Sequence, residues 1–501
     1  MNKVVVTAVV VVGLTACVAA ASVWSGSAVT GRLARQSQDL HKLFPTIEVV
    51  KEERSTGLLS STYDVTYRLG CLPAGAGGAL GVPAGSAPVP IEVGFHHDIK
   101  HGPVPGGSGL GLATVDSRLV LPPAWRARVD KVIGKQELLK VHTAIDLAGN
   151  YDSTFQLPEL NIEQPGQGKL TVNAIHGSVH GKGASGAGML PFASELPSVT
   201  LTAQTLGQNL VFKMTGLKSA GEISHDPESI YWFGAGKTHG SLDAMSLTGA
   251  LPSLDGGPPR PLSAVLTNLT FGSTNTLDKG LWSTTSQLTG KGRINQTSID
   301  KLEMRVSMKR IEAVAYQRLV QTLLGSALSC DPAARASAPD VLLAATSKQA
   351  ALLLKHDPEH APEQLAVELD GRRLELSYSV GSKGVTDADL ATASPAALAD
   401  KAVVRGAARV HIGLIDQAIT SVSGALPASD PALAAQGGLA GAAGALPSLE
   451  LVHATIDQFV QMGFLTREAD YVSVAVSMVG GQFLINGKPM QLPTFGLPTG
   501  P

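Results

Sequence analysis

The sequence predicts a sheet-dominated α+β protein: an extended, twisted antiparallel β-sheet, or sheets, with inserted helices and an N-terminal transmembrane helix. Three observations predict it. Period-two alternation of apolar and polar residues recurs along most of the chain. Turn formers divide these runs, the 501 residues including 55 Gly and 30 Pro. From Met308 onward the period shifts toward three and four in several segments, which adds helices to the sheet.

The first element is apolar. Val4 to Trp24 carries no charged residue, and at 1.5 Å per residue it would span about 31 Å of helix, close to the hydrocarbon thickness of a bilayer. Leu14-Thr15-Ala16-Cys17 also fits a lipoprotein cleavage site, which would make Cys17 an acylation site. The run continues through Val18-Ala19-Ala20-Ala21, past the length of an ordinary cleavable leader, so an uncleaved anchor is the favoured expectation. The short N-terminal tail then places the bulk on the exported side.

Residues 1–25 are thus expected to be an anchor or signal segment and 26–45 a helical stalk. Residues 46–307 follow as a mainly antiparallel β region, and 308–501 as a helix-rich α+β region ending in a β-hairpin. Ile47–Glu53 and Leu58–Leu69 form a hairpin, and Cys71–Pro90 a Gly/Ala/Pro loop. Ile91–Phe95 resumes the strands, followed by alternation at Thr200–Met214, Ser241–Ala250, Leu262–Phe271, Trp282–Gly292 and Ser298–Ser307. Helical periodicity covers Met308–Leu328, Val341–Lys355, Ala396–Arg405, Leu414–Val422 and Leu451–Met462; Ala428–Leu446 fits a loose helix or a loop. Asp370-Gly371 and Asn486-Gly487 are hairpin turns, and Tyr471–Met478 and Gln482–Ile485 are the closing strands.

These features resemble a known family, the YdgA-like bacterial proteins of unknown function. "TGLLSSTYDVTYRL" at Thr56–Leu69, "IKHGPVP" at Ile99–Pro105, "GLWSTTSQL" at Gly280–Leu288 and "GGQFLINGKPM" at Gly480–Met490 carry the resemblance, together with the N-terminal anchor. It implies a single-pass inner-membrane protein whose bulk lies in the periplasm, with no agreed activity; the alternative, from the Leu14–Cys17 pattern, is a lipoprotein.

No motif asserts catalysis. His96, His97, Asp98 and His101 form the densest polar cluster, but on a strand His96 and His97 point to opposite faces and cannot easily share a metal. His176 and His180 would share a strand face without a carboxylate beside them. Gly236-Lys237-Thr238 lacks the first Gly of a phosphate loop, since Tyr231 occupies that place, and Ser108 sits in no nucleophile elbow. Three Cys, at 17, 71 and 330, leave a Cys71–Cys330 disulfide and two unrelated buried thiols equally open.

Charge excludes one class. With 39 basic and 41 acidic side chains and 4% aromatics, neither an electrostatic footprint nor a stacking platform for nucleic acid exists. Mean hydropathy is +0.15. The expectation is a non-enzymatic envelope protein without cofactor, tethered to the membrane, binding or scaffolding another envelope protein or a second copy of itself. The alternative is binding or transfer of a lipid or other apolar ligand in a sheet groove. A continuous lane of Leu, Val and Met on an open strand face would favour the groove.

Overall fold

The computed structural model describes residues 40–490 apart from 42–43, 45, 58–59, 73–88, 103–104, 106–109, 165, 167, 183–187, 206–207, 226–233, 252–258, 332, 334–348, 350, 393–397, 399 and 424–447. The expected anchor with Cys17, most of the stalk, most of the 71–90 loop and the 428–446 tract therefore lie outside the described residues. Most of the expected helix at 341–355 does too. Among the described residues, no helix is long and apolar enough to cross a membrane.

Among the described residues twenty-two strands form one sheet, and every pairing in it is antiparallel. The N-terminal strands are β1 (Glu48–Thr56), β2 (Ser60–Leu72), β3 (Val89–His101), β4 (Ala113–Val120), β5 (Lys140–Ile145) and β6 (Tyr151–Leu157), each paired with the next. Helix α1 (Pro123–Ile133) connects β4 to β5. β9 (Ile175–Gly181) follows β6 in space, and β10 (Gly188–Thr205) follows β9. The hairpin of β7 (Leu160–Gln164) and β8 (Gly168–Val172) shares that edge of β10.

Long strands then meander: β11 (Gln208–His225), β12 (Gly236–Leu251), β13 (Arg260–Asp278), β14 (Leu281–Ile294) and β15 (Thr297–Glu312). At about 3.3 Å per residue they are roughly 45–60 Å long. β16 (Glu359–Leu369), β17 (Arg372–Ser382), β18 (Ala402–His411) and β20 (Tyr471–Val479) continue the order. β19 (Thr466–Glu468) and β21 (Gln482–Ile485) share the far edge of β20, and β22 (Lys488–Met490) closes it.

Three expectations are corrected. The alternation at Thr200–Met214 is a hairpin, its residues split between β10 and β11. The helix expected from Met308 starts at Ala313: Met308–Glu312 stay in β15 because Met308 and Lys309 still pair with His360 and Glu359. Residues 402–405 of the helix expected over Ala396–Arg405 belong to β18, where Val403 and Val404 pair with Gly381 and Val380. Helices α4 (Ile412–Ser423) and α5 (Leu449–Met462) fall where periodicity put them, and both turns, Asp370-Gly371 and Asn486-Gly487, close hairpins. A short helix, α3 (Asp387–Thr392), follows β17.

The core sits at the N-terminal end. Tyr63, Val65, Ile99, Val115, Ile145, Tyr151, Val179 and Leu190, from seven strands, pack into one cluster no more than 8% exposed. They share one face of the sheet, so the sheet coils around that face. Helix α2 (Ala313–Leu328) leaves β15 with the Glu312 carboxylate accepting from the Ala315 N–H, stacks Tyr316 on Trp282, and lies against β2. Just past its end Cys330 is bonded to Cys71 of β2, which settles the open cysteine question as a disulfide. The link spans 259 residues and joins the two ends of the β1–β15 region. Reducing it, or replacing both cysteines by Ser, is expected to lower unfolding stability by about 2–4 kcal/mol, read as a fall in urea midpoint; an unchanged midpoint would show that α2 holds β2 without it.

Candidate functional site

Directly paired residues in an antiparallel sheet lie on the same face. Applied strand by strand, this rule gives unbroken apolar rows. Leu160, Val172, Val199, Met214, Met245, Leu266, Gly292, Ile299 and Leu369 pair in succession from β7 to β16. Ile162, Leu170, Leu201, Phe212, Leu247, Ala264, Ile294 and Thr297 form the next row. A third carries Leu269, Gly290, Leu302, Val367, Leu374, Val410 and Val472; a fourth Phe271, Leu288, Met304, Leu365, Leu376, Ala408 and Val474.

Strict alternation would put Leu266 and Leu269 on opposite faces. They share one because β13 holds an extra residue there: Thr267 pairs with Lys291, but Thr270 pairs with Thr289. Cβ atoms on Gly290 and Gly292 of β14 would run into Leu269 and Leu266 respectively, which places both leucines on that side. Asn268 has φ +52° at the bulge, and Gly216 of β11, two strands over across Asp243 of β12, has φ +69°. Gly216 is needed twice over, since a Cβ would also meet the Asp243 carboxylate at 2.0 Å. The extra residue recurs in β15 between Ile299 and Leu302.

This apolar face is continuous with the N-terminal core through Phe192 and Val179. Toward β10–β17 it opens. Leu201 is 40% exposed, Ile294 46%, Leu376 38% and Val380 46%. At the far end α4 and α5 roof it, packing Ile412, Ile456 and Val452 onto Val410 and Val472. The result is a trough: floored by the sheet, closed at both ends, open between.

The other face is polar. On it Arg305 and Lys309 pair with Glu363, Arg373 with Glu303 and Glu375, and Arg409 with Glu375 and Glu468. Ala366, paired with both Glu303 and Glu375, is small enough for the ion pairs to cross over it. Hydrogen bonding by Lys309 holds the Glu363 carboxyl below the usual range. Shallow open hollows lie beside Lys291 and Arg293 and beside Glu195, Lys218 and His239.

The histidine cluster is split by the pleat. His96 is on the polar face between Asp64 (2.7 Å) and Asp98 (3.2 Å). His97 is on the apolar face, stacked between Tyr63 and Phe95, with Nδ1 2.8 Å from Ser117 Oγ. His101, at the end of β3, meets Ser61 Oγ at 2.9 Å. His176 and His180 do share the polar face, but a carboxylate is present after all: Asp152, directly opposite on β6, bonds His180. Gly236-Lys237-Thr238 is plain strand at the start of β12, while Ser108 and Tyr231 lie outside the described residues. Among the described residues no three His, Cys, Asp or Glu side chains are grouped to hold a metal ion.

The chain belongs to the family described as "Bacterial protein of unknown function (DUF945)", whose model matches residues 1–493. No curated protein and no solved structure matches the chain.

Burial makes His97 a liability in acid. Desolvation lowers its pKa from 6.5 to about 3, so the unfolded chain takes up a proton that the folded chain refuses. Its contribution is favourable above pH 6.5 and is lost as pH falls toward 3. His97→Gln is therefore expected to flatten the stability loss by about 3 kcal/mol between about pH 7 and 4, measured as urea midpoints; parallel pH curves for wild type and variant would refute it.

Proposed function

We propose that this protein binds the acyl chains of lipids along its trough, as a non-enzymatic lipid carrier or conduit of the bacterial envelope. The observation that carries the reading is the contrast between faces: ion pairs cover one, and half-exposed Leu, Val, Ile, Met and Phe form successive rows across the other. An unfilled apolar face of this size is a binding surface rather than an ordinary exterior. Each methylene covered there contributes about 0.8 kcal/mol, and chains laid across parallel rows need no hydrogen-bond partner. A purely scaffolding role gives no reason for a row to stay in line across nine strands.

Export is part of the proposal. The Cys71–Cys330 disulfide supports an oxidising compartment, and the apolar Val4–Trp24 segment supports a tether in the inner membrane. Lipid then has a source beside the protein.

The test is lipid mass spectrometry of the purified full chain. Co-purified lipid is expected in the wild type. Ile294→Glu and Leu376→Glu, at half-exposed trough positions, should deplete it several-fold with little change in thermal midpoint. Thr270→Glu, on the polar face, should leave it unchanged. Absence of lipid from the wild type, or equal loss in all three variants, would sink the reading.

A further inference from the structure

Two of the apolar rows end on one polar cluster. The row from Leu160 to Leu369 continues directly to Arg372 of β17, which pairs with Leu369. The row from Ile162 to Ile294 ends on Thr297 of β15. Gln417 of α4 bridges the two ends: Arg372 Nη1 donates to Gln417 Oε1 at 3.5 Å, and Gln417 Nε2 donates to Thr297 Oγ1 at 3.4 Å.

Arg372 is the unusual member. It is half-buried at the foot of the trough, and its other hydrogen bond is to the Gly413 carbonyl at 3.2 Å. Among the described residues no carboxylate lies within ion-pair distance of it, whereas Arg373, one residue on and facing the polar side, has two. A guanidinium has five N–H donors in a fork that matches an oxyanion, so most of this one's capacity is unused among the described residues. Gly413 keeps the space open, because a Cβ there would sit 3.1 Å from Arg372 Nε and 3.3 Å from His411 Nδ1.

We infer that Arg372, with Gln417 and Thr297, is a recognition site for the oxyanion headgroup, phosphate or carboxylate, of an amphiphile whose chains lie along the rows that end there. The inference rests on the trough reading and adds a charge preference and a direction to it. Chains lie toward β10, and the head lies under α4.

The full chain is photolysed with diazirine-bearing palmitic acid or with its methyl ester, and labelled peptides are mapped by mass spectrometry. The acid is expected to label β10–β15 about tenfold more than the ester, the worth of one charge-assisted hydrogen bond. Arg372→Gln should bring the acid down to the ester's yield, with Arg372→Lys recovering part of the difference. Gly413→Ala, which crowds the guanidinium without removing it, should weaken the acid alone and serves if Arg372→Gln unfolds. Equal labelling by acid and ester in the wild type, or an acid preference that survives Arg372→Gln, overturns the headgroup site while leaving the trough. No trough labelling by either probe overturns both. Inorganic phosphate titrated alone separates a free anion from a headgroup: Arg372-dependent binding as tight as the acid's overturns the amphiphile assignment.

Discussion

Everything in this structure depends on keeping one side of a very wide pleat apolar. Side chains alternate with a period of two, so a one-residue slip in any strand would send its leucines to the wrong face. The twist of a sheet this wide demands irregularities, and each one threatens that alternation. Here they fall in a line across neighbouring strands, at Pro197, Gly216, Asp243 and Asn268, where ladder pairs are missing, and again at Asp300. Because the extra residues line up, Leu269 and Leu266 stay on one side and so do their neighbours from β7 to β16. A bulge in β13 alone would have broken every row it crossed.

The polar face has a different task. Exposed ion pairs such as Arg305–Glu363 contribute about 0–1 kcal/mol each, so the network on β15–β20 does little to hold the sheet together. It makes the two faces inequivalent, which keeps the strands from flipping and the outside wet. Stability comes instead from the coiled N-terminal end, where Tyr63, Ile99 and Val115 are almost fully buried, and from the α2 strap with its disulfide. The free edge β1 is exposed along its whole length and carries Glu48, Lys51, Glu52, Glu53 and Arg54, charges that discourage edge-to-edge pairing.

Local order was well expressed in the sequence. Alternation located the strands from Ser241 to Ser307, and the Asp-Gly and Asn-Gly pairs located two hairpins. The errors lie where local pattern was overruled by pairing. Met308–Glu312 and residues 402–405 have helix-compatible letters, yet partner strands hold them extended. Thr200–Met214 looks like one run because its letters hold no strong breaker apart from Gly207. The candidate site was less legible, for a physical reason. Met245 and Leu266 touch only through register, and no window of sequence contains a register. The pleat separates His96 from His97, and adjacent positions on a strand are enough to show it. The Asp152–His180 pair and the Arg372–Gln417–Thr297 chain join residues 28 to 120 positions apart, beyond any spacing rule.

On the proposed reading, the shape of the trough constrains its occupant more than its composition does. A folded partner docking here would bring backbone polar groups that a floor of Leu, Ile, Met and Phe cannot satisfy. An acyl chain brings none, and it can shift along a row at little cost because successive paired positions are chemically alike. A uniform lane therefore favours movement, while Arg372 at its foot, without a carboxylate partner among the described residues, favours arrest. The two together make the trough asymmetric: apolar chains are accepted anywhere along about 40 Å of strands, but an anionic head finds Arg372 beneath α4.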